Sequence, residues 1–209
     1  MKNNSNKNLY IFITIHLCVN FLISILSKTI NLPKEGDITL LLITFFTYLI
    51  FSTLPVILYL KFIDKINPID YVKGSSTMLS GIFKGVLISA FIFLVLFLKN
   101  NFIINLAVNY YILIGRALVT PFEEITFRGF YLNKLSESMS FTKASIISSI
   151  IFASVHIPNL FNGETLNFIP LMQIFIVGIW LSYIYKKTNS LMASILSHAT
   201  YNICLLILF

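Results

Sequence analysis

The sequence predicts an all-α fold, a polytopic bundle of about seven transmembrane helices, and three observations support this prediction. Of the 209 residues, 57% are hydrophobic and only 11% are charged. The mean hydropathy is +0.86, which means more apolar surface than a soluble core of this length can hide. The apolar residues also form long runs between short polar breaks, as expected for helices that each need about 20 apolar residues to cross a membrane.

The apolar runs place the spans in order along the chain. We predict helices over residues 9–27, 38–60, 78–98, 104–133, 143–157, 168–185 and 191–208. The first two breaks, "SKTINLPKEGD" and "KFIDKINPIDYVKGSS", combine Pro, Gly or Asn with charge, which is typical of connecting loops. The fifth span is short, with Ser140 or Thr142 as candidate N-cap residues.

The positive charge of the chain indicates membrane topology. Its net charge is +7, but the lysines fall between apolar runs and form no basic face, which argues against a nucleic-acid partner. An N-terminus inside the cell places nine lysines in cytoplasmic loops (Lys2, Lys7, Lys61, Lys65, Lys73, Lys134, Lys143, Lys186 and Lys187) and three in outer loops (Lys28, Lys34 and Lys99). This asymmetry follows the positive-inside rule, so we expect a multi-pass membrane protein in contact with lipid. The richness in Asn, Lys and Ile is consistent with a bacterial genome and hence with a bacterial cytoplasmic membrane.

The stretch "TPFEEITFR", residues 120–128, places three charged side chains inside the fourth predicted span. Each ionisable group in the hydrocarbon layer costs several kcal/mol on insertion scales, so this cluster predicts a functional site. Helical geometry stacks Glu124 and Arg128 at i,i+4, whereas Glu123 projects about 100° away from Glu124. We therefore expect Arg128 to neutralise Glu124 and Glu123 to face a cavity. Arg116, without a carboxylate at i±4, is expected near the outer interface or an aqueous opening.

Further polar side chains in the later spans fit the same cavity. His156 closes the fifth span, and His198 and Asn202 share one face of the seventh. Together with a free carboxylate, these groups can hold and deprotonate a water and stabilise an oxyanion, as amide hydrolysis requires. The topology above places His156 near the outer end of the short fifth span, away from Glu123. Either this span begins before Lys143 or the topology is inverted. In the first span, His16 and Asn20 are expected to join helices rather than to catalyse.

These residues resemble the motif set of the CPBP intramembrane proteases, also called the Abi family. The family includes the CAAX prenyl endopeptidases and bacterial proteins linked to bacteriocin processing and self-immunity. The resemblance rests on Glu-Glu-x-x-x-Arg at Glu123, Glu124 and Arg128, Phe-x-x-x-His at Phe152 and His156, and His-x-x-x-Asn at His198 and Asn202. It covers roughly residues 104–208, which divides the chain into N-terminal transmembrane helices, 1–103, and a catalytic core, 104–209.

The resemblance implies an intramembrane endopeptidase with five catalytic residues: Glu123, Glu124, His156, His198 and Asn202. Glu123 and His156 would activate the attacking water, and His198 and Asn202 would polarise the scissile carbonyl. Arg128 and Phe152 would support the site, Arg128 by holding Glu124. The implied substrate is a peptide or a membrane-associated protein, such as a bacterial peptide or bacteriocin precursor.

Two alternatives stay open at this stage. A zinc ion held by Glu123, His156 and His198 would satisfy a catalytic metal site, yet the same residues suffice as an acid–base set, and we favour the second. The chain could instead be a non-catalytic bacteriocin self-immunity or membrane scaffold protein that uses the same fold. Other hydrolytic signatures, His-Glu-x-x-His and Gly-x-Ser-x-Gly, do not occur.

Overall fold

The computed structural model describes residues 2–29, 37–74, 77–105, 107–160 and 168–209. Helices dominate these ranges and no strand occurs in them, which confirms the all-α prediction. Within the described ranges, five helices are long and apolar enough to cross a membrane, so the chain is a multi-pass membrane protein. Lys34, one of the predicted outer-loop lysines, lies outside these ranges.

The helices follow one another with short connections. They are α1 (Lys2–Thr29), α2 (Ile38–Ile63), α3 (Pro68–Tyr71), α4 (Met78–Lys99), α5 (Tyr110–Glu124), α6 (Phe141–Ser154), α7 (Ile169–Thr188) and α8 (Leu191–Leu208). Two helices contain π-helical turns. In α2 these are Tyr48–Thr53 and Tyr59–Ile63, and α5 continues without a break as a π-helix, Ile125–Leu132, and a last α-helical turn, Asn133–Ser136.

The helix bounds refine the predicted spans. The seventh span coincides with α8, whereas the fourth begins at Tyr110 rather than at residue 104. The cause is Asn109, whose side chain accepts a hydrogen bond from the Tyr111 amide at 2.8 Å and caps the helix. Ser140 does precede α6 in an extended conformation, but its hydroxyl makes no capping bond.

The short helix α6 explains how His156 reaches the middle of the bundle. It has 14 residues, which at a rise of about 1.5 Å per residue gives about 21 Å, against about 30 Å of hydrocarbon. The helix alone is therefore too short to cross the hydrocarbon layer, and His156 follows in the turn after it. The helix begins at Phe141, before Lys143, which is one of the two arrangements expected to bring His156 towards Glu123, and both side chains line one cavity.

The π-helical continuation of α5 forms the centre of the core. Every residue from Thr126 to Leu132 is buried, as expected for a helix surrounded by other helices. The Ser148 hydroxyl of α6 donates to the Phe127 carbonyl at 2.9 Å, and Asn133 donates to the Gly129 carbonyl at 2.9 Å. Side chains thus donate hydrogen bonds to backbone carbonyl groups within and around the widened turns. The two glutamates lie directly before this buried π-helix.

Close packing of small residues brings α4 against α8. A Cβ atom added to Gly81 would lie 1.8 Å from the Ser190 hydroxyl oxygen, and one added to Gly85 would lie 3.0 Å from the Cα of Ala193. Gly81 and Gly85 are four residues apart and so lie on one face of α4. This contact holds α8, which also packs on α5 and α7, at a fixed position in the bundle.

His16 joins α1 to two other helices, as predicted. Its Nε2 donates to the Phe51 carbonyl at 2.9 Å, and its Nδ1 contacts the Tyr131 hydroxyl. Because a carbonyl only accepts, the proton lies on Nε2 and the Tyr131 hydroxyl donates to Nδ1. Asn20 donates to the same Phe51 carbonyl at 3.2 Å.

A charged cluster fixes the far end of α5 beyond the last π-helical turn. Lys134 forms ion pairs with Asp64 at 2.7 Å and Glu137 at 3.2 Å, and the Tyr71 hydroxyl donates to Glu137 at 2.6 Å. Burial, together with the hydrogen bond to Glu137, raises the pKa of Tyr71, so this phenol stays protonated and keeps donating. The cluster anchors α5 to α3 and to the end of α2.

Candidate active site

Glu124 is fully buried and is held by three side chains. Arg128 Nη1 donates to its Oε1 at 2.8 Å, which is the predicted i,i+4 ion pair. His198 Nδ1 lies 2.8 Å from the same oxygen, and the Ser194 hydroxyl donates to Oε2. An ionised carboxylate only accepts, so Nδ1 of His198 carries a proton, and Nε2 is the ring nitrogen that faces the cavity.

Arg128 is enclosed on every side. Its side chain is 1% exposed, its Nη2 donates to the Gly178 carbonyl at 3.3 Å, and its guanidinium stacks over the Phe152 ring at 4.4 Å from the centroid. The edge-to-face partners of Phe152 are the two imidazoles, His156 at 5.1 Å and His198 at 5.7 Å between centroids. Phe152 therefore packs against the buried cation and against both histidines.

Glu123 points away from this ion pair, as the helical geometry predicts. Its Oε1 accepts a hydrogen bond from the Tyr48 hydroxyl at 3.2 Å. Its Oε2 lies 3.8 Å from Nε2 of His198, which is too long for a hydrogen bond. Such a separation between two polar atoms suits a group that bridges them, such as a water or a substrate carbonyl.

A cavity of about 520 Å³ runs along these groups. Its walls come from α2, α5, α7 and α8 and are largely apolar, with Leu40, Ile112, Val119 and Ile174 among them. Its polar lining includes Tyr48, Arg116, Glu123, His156, His198 and Asn202. The cavity thus brings together four of the five predicted catalytic residues, and the fifth, Glu124, lies behind His198.

The two other predicted catalytic residues in the cavity, His156 and Asn202, differ in their hydrogen-bond partners. The His156 imidazole forms no hydrogen bond with any residue that the structure describes, and it interacts electrostatically with Glu123 across the cavity. The Asn202 carboxamide donates to the Thr120 hydroxyl at 3.4 Å, a long contact that leaves most of its capacity unused. Both groups are therefore available to a molecule in the cavity.

The predicted zinc ligands do not assemble into a metal site. Across the described ranges, no three His, Cys, Asp or Glu side chains converge in a way that could hold a metal ion. The neighbouring Glu124 is committed to Arg128, Ser194 and His198. The donor set therefore does not fit a three-ligand zinc centre.

Sequence reasoning missed two residues that hold the glutamates. Tyr48 and Ser194 contact Glu123 and Glu124, respectively, from positions at least 70 residues away in the chain. Ser194 lies four residues before His198 and therefore on its helix face, which is a detectable signal. Tyr48 carries no such signal, because it belongs to a helix outside the motifs. Arg116 lines the cavity, as one of its expected positions suggested.

Part of the chain is similar to a known protein family. The family model described as type II CAAX prenyl endopeptidase Rce1-like matches residues 105–204. The match starts just before α5 and ends within α8, so it contains all seven motif residues. No curated protein and no solved structure matches the chain. Over residues 105–204, the chain is therefore similar to the Rce1-like family of type II CAAX prenyl endopeptidases, a family of proteases.

Proposed function

We propose that the protein is an intramembrane endopeptidase in which Glu123 and His156 activate a water to cleave a peptide bond. One observation carries the proposal. The cavity presents a carboxylate, Glu123, whose Oε2 is free of protein hydrogen bonds among the described residues and faces a histidine nitrogen at 3.8 Å. Its neighbour Glu124 is fully neutralised, so the two carboxylates have separate tasks.

In the first step, a water binds between Glu123 and His156. Glu123 takes one proton from the water, and the imidazole of His156 accepts a hydrogen bond from the second hydrogen. The water oxygen bonds to the carbonyl carbon of the substrate, and the carbonyl electron pair moves onto its oxygen. The result is a tetrahedral oxyanion and a protonated Glu123.

In the second step, the tetrahedral intermediate collapses. Asn202 donates a hydrogen bond to the oxyanion, and His198 donates a second one from Nε2. This step requires His198 as an imidazolium with a proton on each ring nitrogen, because Nδ1 still donates to Glu124. The C–N bond breaks, and the proton held by Glu123 passes to the leaving nitrogen, which yields a carboxyl product and a free amine. Glu124, fixed by Arg128, keeps the His198 ring in the orientation that this step needs.

The proposed chemistry requires no metal. The carboxylate and imidazole suffice as an acid–base set, and the buried partners of Glu124 do the orienting. We propose a peptide or membrane-associated protein as substrate, because the cavity walls are apolar and lie among membrane spans. A bacterial peptide or bacteriocin precursor, cut in the cytoplasmic membrane, fits these requirements.

The test is cleavage of a peptide library by the detergent-purified protein, with and without chelator. Wild type is compared with Glu123→Ala and with a control, Glu137→Gln, which changes a carboxylate at the far end of α5. We expect product from wild type and from the control, none from Glu123→Ala, and no effect of the chelator. Loss of activity with chelator and its return with zinc would overturn the metal-independent mechanism.

The same experiment separates the enzyme from the binding-protein alternative. If neither wild type nor Glu123→Ala yields product, while both bind the same bacteriocin-like peptide, then the fold serves binding alone. In that case the glutamates are structural.

A further inference from the structure

We propose that Tyr48 is a positioning residue for Glu123, so that α2, outside the family match, supplies part of the active site. The inference rests on the proposed function, since it assigns a role within that site. Tyr48 is the first residue of a π-helical segment of α2, and its hydroxyl donates to Glu123 Oε1 at 3.2 Å. The matched residues begin at 105, far beyond this helix.

Contacts on both sides of Tyr48 fix α2 against the motif helix. The Phe45 ring packs edge-to-face on Phe122 at 5.1 Å, before Tyr48 in the chain. After Tyr48, the Thr53 hydroxyl donates to the Phe122 carbonyl at 3.3 Å, and the hydroxyls of Ser52 and Thr126 are 3.2 Å apart. The tyrosine is therefore held over Glu123 by the packing of two helices, not by one flexible contact.

The hydrogen bond determines which carboxylate oxygen meets the water. The terminal torsion of a glutamate is broad, so an unrestrained Glu123 carboxylate would rotate freely within the cavity. Tyr48 occupies Oε1, which leaves Oε2 facing Nε2 of His198 across 3.8 Å. Removing the hydroxyl keeps the carboxylate but loses this orientation, and a misplaced base lowers the rate of the chemical step rather than substrate binding.

The test is Tyr48→Phe in the full-length protein, with Tyr59→Phe as the matched control. Tyr59 lies on the same helix, is buried, and has a hydroxyl without a hydrogen bond among the described residues. Losing one hydrogen bond to a charged group is expected to lower kcat by roughly tenfold to hundredfold. We expect kcat to fall by that factor in Tyr48→Phe with KM within about twofold, and both constants to stay near wild type in Tyr59→Phe.

A second comparison shows whether Tyr48 acts through Glu123. In Glu123→Asp the carboxylate withdraws by one methylene and leaves the reach of Tyr48, so adding Tyr48→Phe should cost less than about threefold in kcat. Thermal unfolding of each variant in detergent corrects kcat for the folded fraction. An equal kcat loss from Tyr48→Phe in both backgrounds would overturn the positioning role.

The outcomes for this inference and for the proposed function differ. Wild-type cleavage with Tyr48→Phe indistinguishable from Tyr59→Phe overturns the inference and leaves the protease intact. Absence of wild-type product overturns both. A fall in thermal stability without a change in kcat per folded molecule shows that Tyr48 only holds helices together.

Discussion

Nδ1 of His198 donates to Oε1 of Glu124 at 2.8 Å, which together with the Ser194 bond to Oε2 ties the last helix to the motif helix. The same oxygen accepts from Arg128, so the carboxylate serves a structural ion pair and a histidine at once. The adjacent Glu123 makes neither contact and faces the cavity. Two neighbouring glutamates should therefore respond very differently to the same substitution.

Glu124→Gln is expected to destabilise the protein by about 3–5 kcal/mol, because it leaves the buried Arg128 charge without its partner. Cleavage should fall as well, since one amide oxygen replaces the two carboxylate oxygens that hold Arg128, His198 and Ser194. Denaturant unfolding in mixed micelles measures the first effect. A stability equal to that of wild type would contradict the central role of the ion pair.

Glu123→Gln should leave the unfolding free energy nearly unchanged while lowering kcat by about 10²–10⁴, the usual contribution of a general base. The reason is that Glu123 has no ion pair with Arg128, and glutamine still accepts from Tyr48. Steady-state kinetics with a fluorogenic peptide give the rate. Comparable destabilisation in the Glu123 and Glu124 variants would argue against their division of roles.

Arg116 lines the cavity and forms no ion pair with the described residues. It lies seven residues before Glu123 on α5, about 10 Å along the helix axis and on the same face. An extended peptide covers this distance in about three residues. For a substrate cleaved three residues from its end, Arg116→Gln should raise KM about tenfold when the terminal carboxylate is free. The amidated peptide serves as control, and an equal rise for both peptides would refute carboxylate recognition.

Gly81→Ala should destabilise the bundle by about 1–3 kcal/mol, because its methyl group collides with Ser190 where α4 meets α8. Gly115→Ala is the matched control, since a Cβ there meets nothing within 4 Å. The control should be neutral or more stable by up to about 1 kcal/mol, from helix propensity alone. Thermal unfolding in detergent compares the two, and similar midpoints would show that α4 and α8 pack less closely.

The helical periodicity was enough to predict the Glu124–Arg128 pair and to predict that Glu123 points away from this pair, towards the cavity. Both follow from spacing within one helix. The span at Leu191–Leu208 was also predicted, because a continuous, mostly apolar run follows a polar break. The span depends mainly on how apolar the segment is, which hydropathy reports directly.

Long-range contacts were beyond such reasoning. Nothing in the spacing of Tyr48 connects it to a glutamate 75 residues later, and only the packing of α2 on α5 creates the bond. The π-helical turns were equally hidden, since a hydrophobic run reads the same for either hydrogen-bonding pattern. The end of α6 at Ser154 was predicted at residue 157, because the apolar residues Val155 and Ile157 extend the run past the helix.

The shortness of α6 has a consequence for the lipid around it. A helix about 9 Å shorter than the hydrocarbon layer forces the bilayer to thin locally or the helix to shift, a case of hydrophobic mismatch. Thinner bilayers relieve this deformation and bring headgroup water closer to His156. The turnover of the protein in vesicles should therefore depend on acyl-chain length, so that the composition of the host membrane becomes a regulator of the enzyme.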